Sequence, residues 1–181
     1  RVGIPYVVSR YTGAFPHRPV GRPMLDDGAW HGTFQDVTLE GRFMATTGSL
    51  AVTPFVAFGM PAAHYEPLAH AAAGRRLRES MAGVNLGRRL DPILPDSYAH
   101  ARLSFAIPER VLGIWHNRTN ADVELGHFVA PSVGIRVLGA WQWTHGGFRI
   151  PIDAPEGSRN AAVHDQLAKD SHFTLGAGFS F

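Results

Sequence analysis

The chain has 181 residues, of which 45% are hydrophobic and 18% are charged, and this composition excludes a disordered protein. Seventeen Lys and Arg residues against fifteen Asp and Glu leave a formal net charge of +2, so charge gives little support to a nucleic-acid partner, and none is expected. The absence of Cys excludes disulfides, thiol redox chemistry and thiolate zinc sites. No apolar run approaches the roughly 20 residues that a membrane-spanning helix needs.

Apolar residues alternate with polar or small ones over most of the chain, and this period of two predicts strands with one apolar face. Helical periodicity is almost absent. The clearest alternation is at the end of the sequence, where Phe173, Leu175 and Phe179 alternate with small residues. The pattern predicts eight strands, at residues 2–11, 36–45, 50–59, 79–89, 99–107, 120–126, 133–144 and 173–181.

The connections between these strands differ in length in a regular way. Short turns are predicted at residues 46–48 and 130–132, whereas residues 11–32, 61–78 and 145–171 form long loops. Short turns on one edge of a sheet and long loops on the other are typical of outer-membrane β-barrels. The sequence therefore predicts an all-β fold, an up-and-down antiparallel transmembrane β-barrel, in one domain covering residues 1–181.

The composition of the second face of the strands indicates whether the apolar row faces lipid or a protein core. It carries mainly Gly, Ala, Ser and Thr with isolated ions, and the whole chain has one lysine, Lys169, which is unusual for a water-facing β surface. We therefore expect the apolar row to face lipid and the other row to line a lumen. The residues expected to line that lumen and set its selectivity are Glu40, Arg42, Asn85, Arg102, Asp122, Glu124 and Arg136.

Aromatic residues gather near the ends of the predicted strands, where outer-membrane barrels carry aromatic girdles at the two membrane interfaces. The alternative is that they belong to the core of a soluble β-sandwich, and their phase with the apolar row favours the girdle. The predicted girdle residues are Trp30, Tyr98, Phe128, Trp141, Trp143 and Phe181.

The C-terminal segment resembles the last strand of Gram-negative outer-membrane β-barrels, which usually ends in an aromatic residue. That resemblance implies a sorting signal read by the barrel-assembly machinery. Its expected residues are Phe173, Leu175, Phe179 and Phe181.

A wider part of the chain is similar to uncharacterised proteobacterial outer-membrane barrels of a transporter type linked to aromatic-compound degradation by the phenol meta-pathway. The similar stretches are TPFVAFG at 53–59, YEPLAHAAAGRR at 65–76, NRTNADVELG at 117–126 and WTHGG at 143–147. The resemblance implies a location in the bacterial outer membrane, in contact with its lipid and lipopolysaccharide. It also implies that the chain is the C-terminal part of a larger barrel that lacks its signal peptide and N-terminal strands, whereas a barrel of eight strands is the alternative.

Ten His residues raise the question of a metal site, but their spacing matches no known one, so neither a metal nor a cofactor is expected. Those expected as solvated residues at the long-loop edge are His64, His70, His116, His145, His164 and His172. A basic cluster at Arg75, Arg76 and Arg78 could attract anionic substrates or lipopolysaccharide phosphates, although a solvated or internally paired loop is favoured.

Enzymatic activity is not expected. His100 and Ser104 share one face of a predicted strand, but Arg102 lies between them and a direct hydrogen bond is not expected. The favoured function is a passive channel or transporter for small solutes, and the family resemblance extends this to hydrophobic or aromatic solutes. The alternatives are a non-catalytic barrel whose long extracellular loops bind a partner, and a soluble lipocalin-like carrier.

Overall fold

A computed structural model describes residues 1–18, 21–147 and 164–181 of the chain. Over these ranges the fold is all-β apart from one helical turn, α1, at His164–Leu167. The eleven strands of the described residues are β1 Val2–Gly3, β2 Tyr6–Ser9, β3 His31–Phe34, β4 Asp36–Arg42, β5 Thr46–Thr47, β6 Ala51–Pro61, β7 Glu79–Arg89, β8 Ser97–Pro108, β9 His116–Ala130, β10 Val133–Gly146 and β11 Ser171–Ser180.

The main sheet is antiparallel, barrel-like and curled into a half-barrel. Its eight-strand path runs β1-β4-β6-β7-β8-β9-β10-β11, with β5 paired to β6 off this path, and β2 and β3 form a separate two-stranded sheet. From β6 to β11 every strand pairs with the next one along the chain. The predicted antiparallel all-β meander is thereby confirmed.

The first predicted strand, at residues 2–11, is divided at Pro5. Proline has no backbone NH to donate to a ladder, and the chain here forms the two short strands β1 and β2. β1 pairs with β4, while β2 pairs with β3, a strand that the alternation does not predict. Between these two strand pairs, the NH of Gln35 donates a hydrogen bond to the Pro5 carbonyl (2.9 Å). The β2–β3 sheet therefore continues the ladder between β1 and β4 of the main sheet.

β9 runs from His116 to Ala130 and is longer at both ends than the predicted strand at residues 120–126. The residues before 120 were not predicted as part of it because they do not alternate between apolar and polar. A second difference is the predicted turn at residues 46–48, where Thr46 and Thr47 pair with β6.

Pro54 lies inside β6 without leaving a gap in the ladder. Its carbonyl accepts a hydrogen bond from the NH of Phe43 (3.1 Å), one residue after β4 ends. The nitrogen of a strand residue faces the same neighbour as its carbonyl, so the missing NH of Pro54 points to the end of β4 rather than to β7. Proline is tolerated at a strand position whose nitrogen faces the end of the neighbouring strand rather than its middle.

The two faces of the sheet differ sharply in chemistry and exposure. On the outward face the apolar row is exposed, with Val123 at 56% and Leu175 at 70%, whereas Glu40 on the opposite face is 7% exposed. Other exposed outward side chains are Leu39, Val56, Phe58, Leu103, Phe105, Leu125, Ile135, Val137, Phe173 and Phe179. The curl of the sheet thus places polar side chains inside and apolar side chains outside.

Most of the apolar core lies at the long-loop edge, where the loop at residues 62–78 covers one end of the concave face. Its buried apolar side chains are Tyr65, Ala69, Ala71 and Leu77, and Leu167 of α1 is fully buried. Two polar residues of the sheet, His116 and Thr144, are buried beside them. Within the described ranges, no helix is long and apolar enough to cross a membrane.

Candidate functional site in the concave face

A buried carboxylate, Glu40, is the centre of the ionic cluster on the concave face. Its Oε2 accepts a hydrogen bond from Nη2 of Arg102 at 2.7 Å, and its Oε1 accepts one from Arg42. In the sheet order two strands, β6 and β7, separate β4 from β8. Three strand spacings of about 4.8 Å amount to about 14 Å in a flat sheet. The Glu40–Arg102 contact is possible because the sheet curls toward this face and both side chains are long.

Arg102 is fixed by neighbours other than Glu40. Its guanidinium lies 3.6 Å from the centre of the Phe55 ring, a cation–π contact, and its Nη1 donates to the Asn85 side chain at 3.2 Å. Asn85 in turn donates to the Thr53 carbonyl. The Phe55 ring passes over Gly83, where a Cβ would come within 2.7 Å of it. Gly83 therefore makes room both for the Leu103 carbonyl, which a Cβ would approach to 2.3 Å, and for the ring that supports Arg102.

A second ion pair, between Arg118 of β9 and Glu79 of β7, spans the concave face nearer the long-loop edge. Between the two ion pairs lies an open cavity of about 400 Å³. Its lining is Glu79, Met81, Arg102, Ser104, Arg118, Asn120, Asp122, Ala140, Trp141, Gln142 and His172. Both signs of charge face this cavity, so it suits water and small polar or ionic solutes.

The remaining predicted lumen residues lie on β9 and β10. Asp122 pairs in register with Arg102 of β8 and lines the cavity. Glu124 accepts a hydrogen bond from the Tyr98 hydroxyl at 2.5 Å, and Nη1 of Arg136 lies 3.9 Å from it. The residues that alternation assigned to one row therefore share the concave face.

At the long-loop edge a polar network joins the loop at residues 62–78 to the last two strands. Nη2 of Arg75 donates to both carboxylate oxygens of Asp170, at 3.1 and 3.2 Å, and the Thr144 hydroxyl donates to the same carboxylate at 2.8 Å. Nη1 of Arg75 lies 2.7 Å from Nε2 of the buried His116. Of the predicted basic cluster, Arg75 is thus internally paired. His116 is buried rather than solvated as predicted, because this loop covers it.

This network predicts acid sensitivity. Burial alone would raise the pKa of Asp170, but the Thr144 hydroxyl and the Arg75 guanidinium hold that pKa below its ordinary value. A carboxyl whose folded pKa is lowered stabilises the fold above its unfolded pKa, near 3.9, and this stabilisation disappears as the pH falls through the folded pKa. We expect Asp170→Asn to lower the melting temperature at pH 7 and to flatten its decline below about pH 4.

Melting of the detergent-solubilised chain between pH 2 and 8, followed by tryptophan fluorescence, measures this effect. Asp96→Asn is the control, because Asp96 is exposed in the turn between β7 and β8 and its φ of 57° suits Asn. An Asp170→Asn profile that matches the wild type would show that the network does not stabilise the fold.

A third polar cluster lies outside the sheet, where residues 11–18 and 21–30 meet the loop at 62–78. The Asp26 carboxylate accepts hydrogen bonds from the backbone NH groups of His17 (2.9 Å), His70 (3.1 Å) and Ala71 (2.9 Å). Burial would raise the pKa of Asp26, but these backbone hydrogen bonds and the one with the His70 ring hold it well below the ordinary range. The ring of Tyr11 stacks on that of His70, with centroids 4.2 Å apart.

The predicted girdle residues lie in different environments. Trp141 and Trp143 are neighbours on the outward face, with ring centroids 5.9 Å apart. Tyr98 falls in the inward row and bonds to Glu124, and its ring lies 5.7 Å from that of Phe128. Two further members are highly exposed: Trp30 just before β3 and Phe181 just after β11.

Of the residues that resemble a sorting signal, Phe173, Leu175 and Phe179 lie along the outward face of β11, and Phe181 follows the strand. His100 and Ser104 both lie on the concave face of β8, two pleats apart. They pair in register with Glu124 and Asn120 respectively.

Some polar residues of the site had no prediction attached to them. Arg118 and Glu79 are 39 residues apart in sequence and meet because β7 and β9 flank β8. Their position on the concave face could have been predicted from the sequence, since Arg118 lies two residues before Asn120 and therefore on the same face as Asn120 and Asp122. The cluster of His17, Asp26 and His70 had no comparable signal, because its residues come from two loops.

Comparison of the chain with protein-family models, with curated proteins and with solved structures finds no match in any of the three. The fold defines the class, an antiparallel barrel-like all-β protein with a polar concave face. A more specific function has to be argued from the geometry above.

Proposed function

We propose that the chain belongs to a bacterial outer-membrane β-barrel that acts as a passive channel or transporter for small solutes. One observation carries the proposal: the strands expose their large apolar side chains outward and direct their ionic side chains to the concave face. A surface exposing many large apolar residues in one band is costly in water and favourable against acyl chains. The partners that follow are outer-membrane lipid, lipopolysaccharide and the barrel-assembly machinery.

The ions of the concave face support a selectivity role. Arg102, Arg118 and Arg136 stand near Glu40, Glu79 and Glu124, so a solute passing along this face meets charges of both signs. Rings of charged side chains set ion preference in pores. The lining favours small polar or ionic solutes, whereas hydrophobic or aromatic ones depend on the family resemblance alone.

The soluble lipocalin-like carrier is disfavoured by the same observation. Such a barrel fills its interior with apolar side chains and turns polar ones to water. Here Glu40, Asn85 and Ser104 are buried inside, while Val123 and Leu175 are exposed outside. The loop-binding scaffold remains the second candidate, favoured by Phe15, which is exposed on the long loop between β2 and β3.

Planar-bilayer recording separates the channel from the scaffold. The purified chain inserted from detergent is expected to give a current whose reversal potential in a KCl gradient moves toward cation selectivity in Arg136→Ala, because a cation is removed from the concave face. Arg136 is half-exposed, so the variant is expected to fold.

Arg110→Ala is the matched control, since Arg110 lies outside the cavity and over the ring of Trp115. No current from the wild type would remove the channel function, whereas equal reversal potentials for the Arg136 and Arg110 variants would remove the selectivity role of the concave face. A scaffold would instead insert without conducting.

A further inference from the structure

We propose that His17, Asp26 and His70 form a binding site for one divalent transition-metal ion of the zinc class. The three residues come from the two loops that meet outside the sheet. They are the one group of three or more His, Cys, Asp or Glu side chains within the described ranges whose donor atoms converge, all within 4.8 Å of one another. The proposal is independent of the channel function.

The distances within the cluster are slightly shorter than those between ligands around one zinc ion. Nδ1 of His17 lies 3.1 Å from Nδ1 of His70 and 3.1 Å from Oδ2 of Asp26, and Nδ1 of His70 lies 2.9 Å from the same oxygen. Zinc binds His nitrogens and carboxylate oxygens at about 2.0–2.2 Å, which places tetrahedral ligands about 3.3 Å from one another. A small outward movement of the two rings would bring the triangle to that size.

Protons alone cannot satisfy this triangle. A ring nitrogen is either a donor or an acceptor, and the carboxylate oxygen only accepts. If both Nδ1 atoms carry protons, two donors face each other at 3.1 Å. If one is deprotonated, its lone pair faces that of Asp26. A cation held between the two ring nitrogens and Oδ2 of Asp26, which also accepts hydrogen bonds from the backbone NH groups of His17 and His70, removes every one of these repulsions.

The surroundings hold the ligands as a metal site requires. The backbone NH groups that bond to Asp26 fix its carboxylate, and the side chain is fully buried. The stacked Tyr11 ring orients His70. The His17 and His70 side chains are 20% and 40% exposed, so an ion can reach them from solvent. Three protein ligands leave a fourth position for water or another donor.

A bound ion would join the two loops at the long-loop edge. His17 and Asp26 belong to the loop between β2 and β3, and His70 belongs to the loop between β6 and β7. Because two of the three ligands are imidazoles, the site should prefer zinc, cobalt or nickel ions over magnesium or calcium, which favour oxygen ligands.

The test is isothermal titration of ZnCl₂ into the full chain, folded in detergent and freed of metal with a chelator. The expected result is one saturable site per chain. In His17→Gln and His70→Gln we expect the affinity to fall at least tenfold, since each loses a ligand. His64→Gln is the control, because His64 lies on the same loop as His70 but outside the cluster. Magnesium chloride in place of zinc is expected to give no saturable heat.

The visible absorption of Co²⁺ bound to the same protein is a second measurement that does not depend on the fold of any variant. Bands of a four-coordinate Co²⁺ with nitrogen and oxygen ligands, displaced by an equimolar amount of Zn²⁺, support the site. The proposal is overturned if the wild type shows no saturable zinc binding, or if His70→Gln and His64→Gln bind zinc equally well.

Discussion

Leu175→Arg is expected to lower strongly the fraction of the chain that forms a folded, heat-modifiable species in lipid vesicles. Leu175 lies in the middle of β11, on the outward face, and is 70% exposed. An arginine at the midplane of a membrane β-barrel costs about 2–4 kcal/mol, a large fraction of the stability of most domains. Val123→Arg, at the same depth on β9, is expected to have the same effect.

Thr174→Arg is the matched control. Thr174 precedes Leu175 on the same strand and points to the opposite, concave face. The same charge added there should leave folding in vesicles nearly unchanged. Refolding by dilution from urea into vesicles, followed by migration on gels with and without boiling, makes the comparison without the assembly machinery. If the apolar row faces water instead, Leu175→Arg should be harmless or improve solubility, and the orientation proposed here would be wrong.

Much of this arrangement was predictable because a strand has only two faces. Alternation assigned Glu40 and Arg102 to the polar row, and both lie on the concave face. The alternation does not predict that Glu40 and Arg102 contact each other, since that contact depends on the curl of the sheet and on which strands separate them. β3 was missed because its residues, His31 to Phe34, show no apolar alternation, and it exists by pairing with β2.

The loops were the least predictable part of the molecule. Asp26 and His70 are 44 residues apart, and no spacing rule joins them. Their meeting depends on the backbone NH groups that converge on one buried carboxylate. Local sequence contains the donors and the acceptor but not the geometry that assembles them. The same reason explains His116, which sequence places at a strand end and the loop at residues 62–78 buries.

Arg102→Met is expected to lower the free energy of unfolding by about 3 kcal/mol, near the lower end of the range for breaking a buried ion pair. The loss arises because Glu40, 6% exposed at its side chain, is left with Arg42 alone. Arg89→Met is the control. The ion pair of Arg89 with Asp91 has the same N–O distance of 2.7 Å, but its side chains are 71% and 41% exposed. An exposed pair contributes about 0–1 kcal/mol.

The double variant Glu40→Gln with Arg102→Met separates the ion pair from simple loss of packing. Breaking a buried pair is costly because it leaves an uncompensated charge, and the double variant leaves no charge at position 40, so it should recover most of the stability lost in Arg102→Met. Urea unfolding in detergent micelles, followed by tryptophan fluorescence, gives the free energies of unfolding of the wild type, of Glu40→Gln, of Arg102→Met and of the double variant. These four values give the coupling energy between Glu40 and Arg102. Equal losses in Arg102→Met and Arg89→Met would contradict the buried pair. If the double variant is no more stable than Arg102→Met, the loss comes from the contact of Arg102 with Phe55 instead, since that contact is absent from both variants.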